Sequence, residues 1–191
     1  MVQKLTMLSV LDPFLTRPFS GLHLADISRE IKQPHPTVRQ HLNDLEKRGV
    51  LKKNIKGRLT IYSLNRGNPL INHYLSICEN NKMIAASERH LILKEIVLFL
   101  SPNLSERNTA LIFGSAVEDI KRANDIDLLV TGKSEIQKEI DIFAEKINRK
   151  IHLLNVPSLE SVSPALKNEI LKKHLIVQGT DVVLKWLIWK K

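Results

Sequence analysis

The stretch TALIFGSAVEDIKRANDIDLLV, residues 109–130, decides how the second half of this 191-residue chain is read. An apolar run from Thr109 to Phe113 ends in Gly114-Ser115, and Asp125 and Asp127 then follow at alternate positions of a second β-prone run. Side chains alternate along a strand with a period of two, so both aspartates stand on one face. Two carboxylates on one face can hold divalent cations, and a Gly-Ser turn offers backbone N–H groups and a hydroxyl to a triphosphate. The stretch therefore predicts a nucleotide-handling site.

Working outward, the same alternation continues. A helical pattern from Ser134 to Asn148 leads to IHLLNV at 151–156, which reads as a strand. The segment ALKNEILKK reads as a helix, LIVQG as a strand, and the last segment as an amphipathic helix bearing Trp186 and Trp189. Residues 105–191 are thus expected to form one small α/β domain. The two tryptophans, three residues apart on a helix, are expected to anchor its core.

Toward the N-terminus the period changes to that of helices. Leu5, Leu8, Leu11 and Leu15 form one apolar face, with Pro13 expected to end or bend the helix. Leu24, Ile27 and Ile31 form a second face, and Val38, Leu42 and Leu45 a third, which opens with Pro36 and stops at Gly49. Only Lys32-Gln33-Pro34-His35 separates the second from the third, the short turn of a helix-turn-helix unit. Residues 50–64 then alternate on both sides of Asn54-Ile55-Lys56-Gly57, a hairpin signal with Lys52, Lys53, Lys56 and Arg58 crowding its tip.

Charge follows this division. Residues 1–66 hold 12 Lys and Arg against 5 Asp and Glu, whereas residues 67–191 hold 17 against 15. A positive surplus confined to one small region is the footprint of a polyanion-binding module or of a plain solvated surface. The outward positions of the third helix, Thr37, Arg39, Gln40 and Asn43, carry groups able to reach base edges and phosphates. Basic hairpin side chains can straddle adjacent phosphates. The expected partner is double-stranded DNA, read by a homodimer because operators are commonly two-fold symmetric.

Between the two regions, residues 67–104 are expected to be a helical connector and a possible dimer interface. Asn68-Pro69 has the form of a helix start, and Leu70, Tyr74 and Ile77 share one face. The polar stretch Glu79-Asn80-Asn81-Lys82 is expected to separate this helix from a second one through Leu91, Leu93, Ile96, Val97 and Leu100, which Ser101-Pro102-Asn103 ends. Cys78, the single cysteine, reads as a packing residue, and His35 and His41 as turn and helix-surface residues. With 43% hydrophobic residues, no run approaching the roughly 20 needed to cross a bilayer, and no signal-peptide pattern, the chain reads as a cytoplasmic protein with no membrane partner.

Two resemblances sharpen these expectations. TVRQHLNDLEKRGVLKKNIKGRLTIYSLN resembles the winged-helix DNA-binding domains of arsenic-repressor-like transcription regulators, over about residues 5–66. FGSAVEDIKRANDIDLLVTG, together with LKNEILKKHLIVQG, is similar to the minimal nucleotidyltransferases of the polymerase-beta-like superfamily, over about residues 90–180. Such a fusion resembles a group of prokaryotic, especially archaeal, regulators. The fold class implied is α+β in two domains: a winged helix-turn-helix, the connector, and a small nucleotidyltransferase-like sheet domain.

The second resemblance implies transfer of a nucleoside monophosphate from an NTP to an acceptor hydroxyl. Gly114 and Ser115 would position the triphosphate, and Asp125 and Asp127 would be catalytic by holding two Mg2+ ions. Alignment of KIHLLNV with the later strand of that family places His152 where a third carboxylate is expected, and neither it nor Asn155 supplies an anionic oxygen. The loop also lacks the family's Arg-Gly pair, holding Val117-Glu118-Asp119 there and Asn124 before the first aspartate. Three readings follow: a DNA-binding regulator with a nucleotide sensor or interaction module, an active transferase modifying a partner protein in antitoxin fashion, or a domain that only supports dimerisation.

Overall fold

The computed structural model describes residues 6–132 and 136–189, so Leu5 and Ser134, at two expected helix starts, lie outside the described residues. The chain divides into two compact units, Met1–Cys78 and Glu79–Lys191.

In the first unit a 3-10 turn, Met7–Leu11, leads into α1 (Asp12–Thr16). Pro13 lies in the first turn of α1, where the N–H it lacks has no helical acceptor, so it opens this helix instead of ending the expected one. Strand β1 (Leu22–His23), α2 (Leu24–Glu30), α3 (His35–Lys47), β2 (Leu51–Lys56) and β3 (Leu59–Leu64) follow. The strands form an antiparallel sheet in the order β1-β3-β2. β1 was not expected, because two residues are too few to carry a period.

Helix α3 sits where its apolar stripe requires: Val38, Leu42 and Leu45 are wholly buried, as are Leu11, Phe14 and Tyr62. Each such burial is worth about 1.5–3 kcal/mol relative to exposure. Between α2 and α3 the chain turns through Lys32, at φ 54°, and the Ser28 hydroxyl donates to the Gln33 carbonyl. His35 belongs to α3 and not to the turn. Gly49, at φ 69°, ends the helix run, and its carbonyl accepts from the side-chain amides of Asn65 (2.8 Å) and Asn68 (3.0 Å).

The hairpin turn is displaced from the expected tip. Lys56 pairs with Leu59, so the loop is Gly57-Arg58, with Gly57 at φ 59°. A two-residue loop led by glycine matches the twist of the strands it joins, and Asn54 to Lys56 are left free to extend β2.

Helix α4 (Ile71–Arg89) spans the boundary between the units and runs through the polar stretch 79–82 without a break. The break comes at His90, before α5 (Leu91–Asn103). Two expectations fail here for physical reasons. Glu79 is a buried helix residue with partners, not a linker residue. Leu70 and Ile77 are exposed, whereas Ile71, Leu75 and Cys78 supply the buried face.

The second unit is built on a four-stranded sheet of β4 (Ala110–Phe113), β5 (Asp125–Thr131), β6 (Lys150–Val156) and β7 (His174–Gln178). Its order is β6-β5-β4-β7, with β4 antiparallel to both neighbours and β5 parallel to β6. Helix α6 (Gln137–Lys146) makes the crossover between the parallel pair, and α7 (Pro164–Lys172) and α8 (Thr180–Ile188) flank β7 in sequence. One sheet face, including Ala110, Ile112, Ile126, Leu128 and Val130, joins Leu93, Ile96 and Leu100 of α5 and Ile140 and Phe143 of α6 in one core. On the other face Leu111, Leu129 and Ile176 are buried, and Asp125 and Asp127 continue that face to its open end. Trp186 is buried, while Trp189 is partly exposed and is not a core anchor.

Candidate functional site

Strand β5 presents Asp125 and Asp127 on one face, and the parallel register sets Asp127 beside His152 and Asp125 beside Lys150 on β6. The His152 Nδ1 lies 3.5 Å from Asp125 Oδ2 and 3.5 Å from Asp127 Oδ1, so the imidazole stands between the two carboxylates at ion-pair distance. Gly114 borders the same group. Its φ is 74°, a left-handed conformation that favours glycine, and a Cβ built there would come within 2.6 Å of Asp127 Oδ2, so a side chain would displace that carboxylate. Ser115 follows, exposed, in a single 3-10 turn, Gly114–Val117.

The loop carboxylates are engaged elsewhere. Glu118 pairs with Lys173 at 2.8 Å, and Asp119 accepts from the Lys121 backbone N–H at 3.0 Å and pairs with Arg122. Asn155, an odd number of residues from His152, alternates onto the opposite sheet face. Mg2+ takes octahedral oxygen ligands. Here the position beside Asp127 is an imidazole, and among the described residues no group of three or more His, Cys, Asp or Glu could hold a metal ion. The donor set does not fit the two-ion centre that the family resemblance implies, and it supports no chemical step through bound metal.

The first unit gathers a different set. Thr37, Arg39 and Gln40 are exposed along α3, and Lys52, Lys53, Lys56 and Arg58 are exposed on the hairpin, with Ile55 and Leu59 also exposed at its tip. Asn43 departs from its helical neighbours. It is half-buried, and its Oδ1 accepts from the Tyr62 hydroxyl at 2.9 Å and from Lys53 Nζ at 3.1 Å. Burial raises the Tyr62 phenol above its ordinary value, a shift that Arg39 opposes. Tyr62 was missed as a site residue. Its place on the inward side of β3 was legible, and a buried phenol demands a partner, but nothing local names Asn43 as that partner.

Two further features stand apart from these sites. Glu79 and His174 form a wholly buried pair at 3.0 Å. A cavity of about 290 Å3, bordered by Arg107, Thr109, Thr131, Ser158 and Trp186, lies at the Thr131 end of β5, away from the aspartates. Among the described residues no helix is long and apolar enough to cross a membrane.

The order α2, short turn, α3 and basic hairpin defines the first unit as a helix-turn-helix domain with a wing. No family model matches the sequence, and no curated protein matches it. Among solved structures the chain is similar to MepR, a transcription regulator of the Staphylococcus aureus multidrug efflux pump MepA, at 20% identity over 50% of this chain and 76% of that one, with a TM-score of 0.35. It is also similar to TrmBL2, an archaeal chromatin protein, at 15% identity over 85% of this chain and 68% of that one, with a TM-score of 0.29.

Proposed function

We propose that this chain is a DNA-binding transcriptional regulator whose second unit is a nucleotidyltransferase-like module that binds a nucleotide or a partner without turnover. The observation that carries the reading is the alignment of chemistry on the first unit. Exposed Thr37, Arg39 and Gln40 on α3 accompany Lys52, Lys53, Lys56 and Arg58 on the adjoining hairpin. Such a helix fits the major groove, and such a hairpin fits the flanking phosphates. A homodimer would present two copies to a two-fold operator. Titration of genomic fragments at two salt concentrations tests this. Tight binding that weakens with salt, and that Arg39→Ala reduces by about tenfold, is expected; no binding near physiological salt removes the regulator reading.

For the second unit, His152 between Asp125 and Asp127 favours binding over catalysis, since it occupies the position where the resemblance expects a third acid. Gly114 and Ser115 are the proposed nucleotide contacts, and Asp125 and Asp127 would face the cation that accompanies the nucleotide. Calorimetry with each NTP, with and without Mg2+, is expected to give heat but no pyrophosphate. The alternative, an active nucleotidyltransferase that labels a partner protein, is favoured by the retained approach of Gly114 to Asp127. Transfer of label from an NTP, abolished in Asp125→Ala/Asp127→Ala, would replace the sensor reading by that one.

A further inference from the structure

Asn43 follows Arg39 by four residues and Gln40 by three, so all three lie on one side of α3. Their hydrogen-bonding capacities nevertheless differ. Gln40 is exposed. Asn43 has spent its oxygen. An ammonium group has only donors, so the Asn43 atom 3.1 Å from Lys53 Nζ must be the carbonyl oxygen and not the amide nitrogen. The Tyr62 hydroxyl donates to the same atom at 2.9 Å, which fills its second lone pair. What Asn43 retains is Nδ2 alone, with two donors and no acceptor.

This distinction matters at a base edge. The bidentate contact of asparagine with adenine needs both halves of the amide: Nδ2 donates to N7 while Oδ1 accepts from the N6 amino group. Making it here would mean breaking the bonds to Tyr62 and Lys53, and Tyr62 is wholly buried with its hydroxyl turned to Asn43. A buried hydroxyl left without a partner is costly. To a group that can only donate, guanine offers two acceptors, O6 and N7, and thymine offers O4, whereas adenine offers N7 alone with a competing donor, the N6 amino group, beside it.

We infer, resting on the DNA-binding reading above, that Asn43 is a donor-only specificity residue that favours guanine or thymine over adenine, held in this orientation by Lys53 of β2 and Tyr62 of β3. The same two bonds join α3 to both strands of the wing. Gln40 is then the α3 amide free to make the adenine contact.

Selection of sites from a random-sequence duplex library by the full chain tests this, with wild type compared with Asn43→Ala and with Asn43→Ala/Tyr62→Phe. The double variant removes the hydroxyl that would otherwise be stranded, so its folding does not depend on the lost bond. Relative to wild type, one position is expected to lose a preference for guanine or thymine, with affinity for the selected site falling about five- to tenfold. Lys53→Ala/Tyr62→Phe, which frees Oδ1 and keeps Asn43, is expected to shift that position toward adenine. Loss of an adenine preference in the Asn43 variants, or no change at any position, overturns the inference while DNA binding stands. A wild-type chain that selects no sequence, and binds no better than Arg39→Ala, overturns the regulator reading and this inference with it.

Discussion

Among the described residues of the second unit, two clusters of histidine with carboxylate are opposites. Glu79 and His174 meet at 3.0 Å with both side chains at 0% exposure, whereas His152 lies 3.5 Å from Asp125 and Asp127 with side chains 46%, 37% and 32% exposed. In the buried cluster every polar atom has a partner. The His174 Nδ1 lies 2.7 Å from the Ile170 carbonyl, its Nε2 faces Glu79 Oε1, and Lys82 approaches Glu79 Oε2 at 3.5 Å. A carbonyl only accepts, so Nδ1–H donates to it and the ring orientation is fixed. In the open cluster two like charges share one imidazole, and water competes for all three groups. The same chemical groups make a fastener where water is excluded and an adaptable surface where it is not.

The largest effect should come from breaking the buried pair. Glu79→Ala or His174→Ala leaves one buried group uncompensated and is expected to cost about 3–5 kcal/mol, read by urea unfolding followed by circular dichroism. A loss below about 1 kcal/mol would put the pair in the same class as the open cluster and erase the contrast.

Acid should act on the same fastener. Burial raises the Glu79 carboxyl, but His174 first and Lys82 second outweigh it and hold the group below its ordinary value of 4.5. A depressed folded value contributes stability that is fully present above pH 4.5 and is lost as pH falls through the lower folded value. The stability difference between wild type and Glu79→Gln should therefore shrink as pH falls below about pH 4. A difference that grows with acid would reverse the assigned sign.

Gly114→Ala should fall between the extremes. It puts a side chain into a left-handed backbone and against Asp127 Oδ2, and about 1–3 kcal/mol is expected, with displacement of the Asp127 carboxylate and loss of nucleotide heat. The smallest effect belongs to Asp125→Asn and Asp127→Asn, which remove exposed like charges. Each should shift stability by no more than about 1 kcal/mol, checked by thermal unfolding. A loss as large as that of Glu79→Ala would mean that the open cluster is a fastener too.

Which parts of this were legible in the sequence depends on how locally each is encoded. Val38, Leu42 and Leu45 repeat at helical spacing, so α3 and its buried face could be read directly, as could the shared face of Asp125 and Asp127 from the period of two. The wing was legible as a hairpin, but its turn moved to Gly57-Arg58 because one positive-φ glycine suffices for a two-residue loop. Glu79 was misread as linker because its partner, His174, is 95 residues away. Asn43 shows the same limit at shorter range: its outward position on α3 was readable, but the bond to Tyr62, 19 residues on, was not. Local pattern reports where a side chain points, and tertiary pairing decides which of its atoms remain available.

The aromatic residues divide between the units in a way that has an optical consequence. Both tryptophans, Trp186 and Trp189, belong to the second unit, and both tyrosines, Tyr62 and Tyr74, to the first. Emission excited where only tryptophan absorbs follows the unit that carries Asp125 and His152 and is silent about the unit that carries Asn43. Without any added dye, a single unfolding curve recorded in that channel and again by total helicity tells which unit melts first.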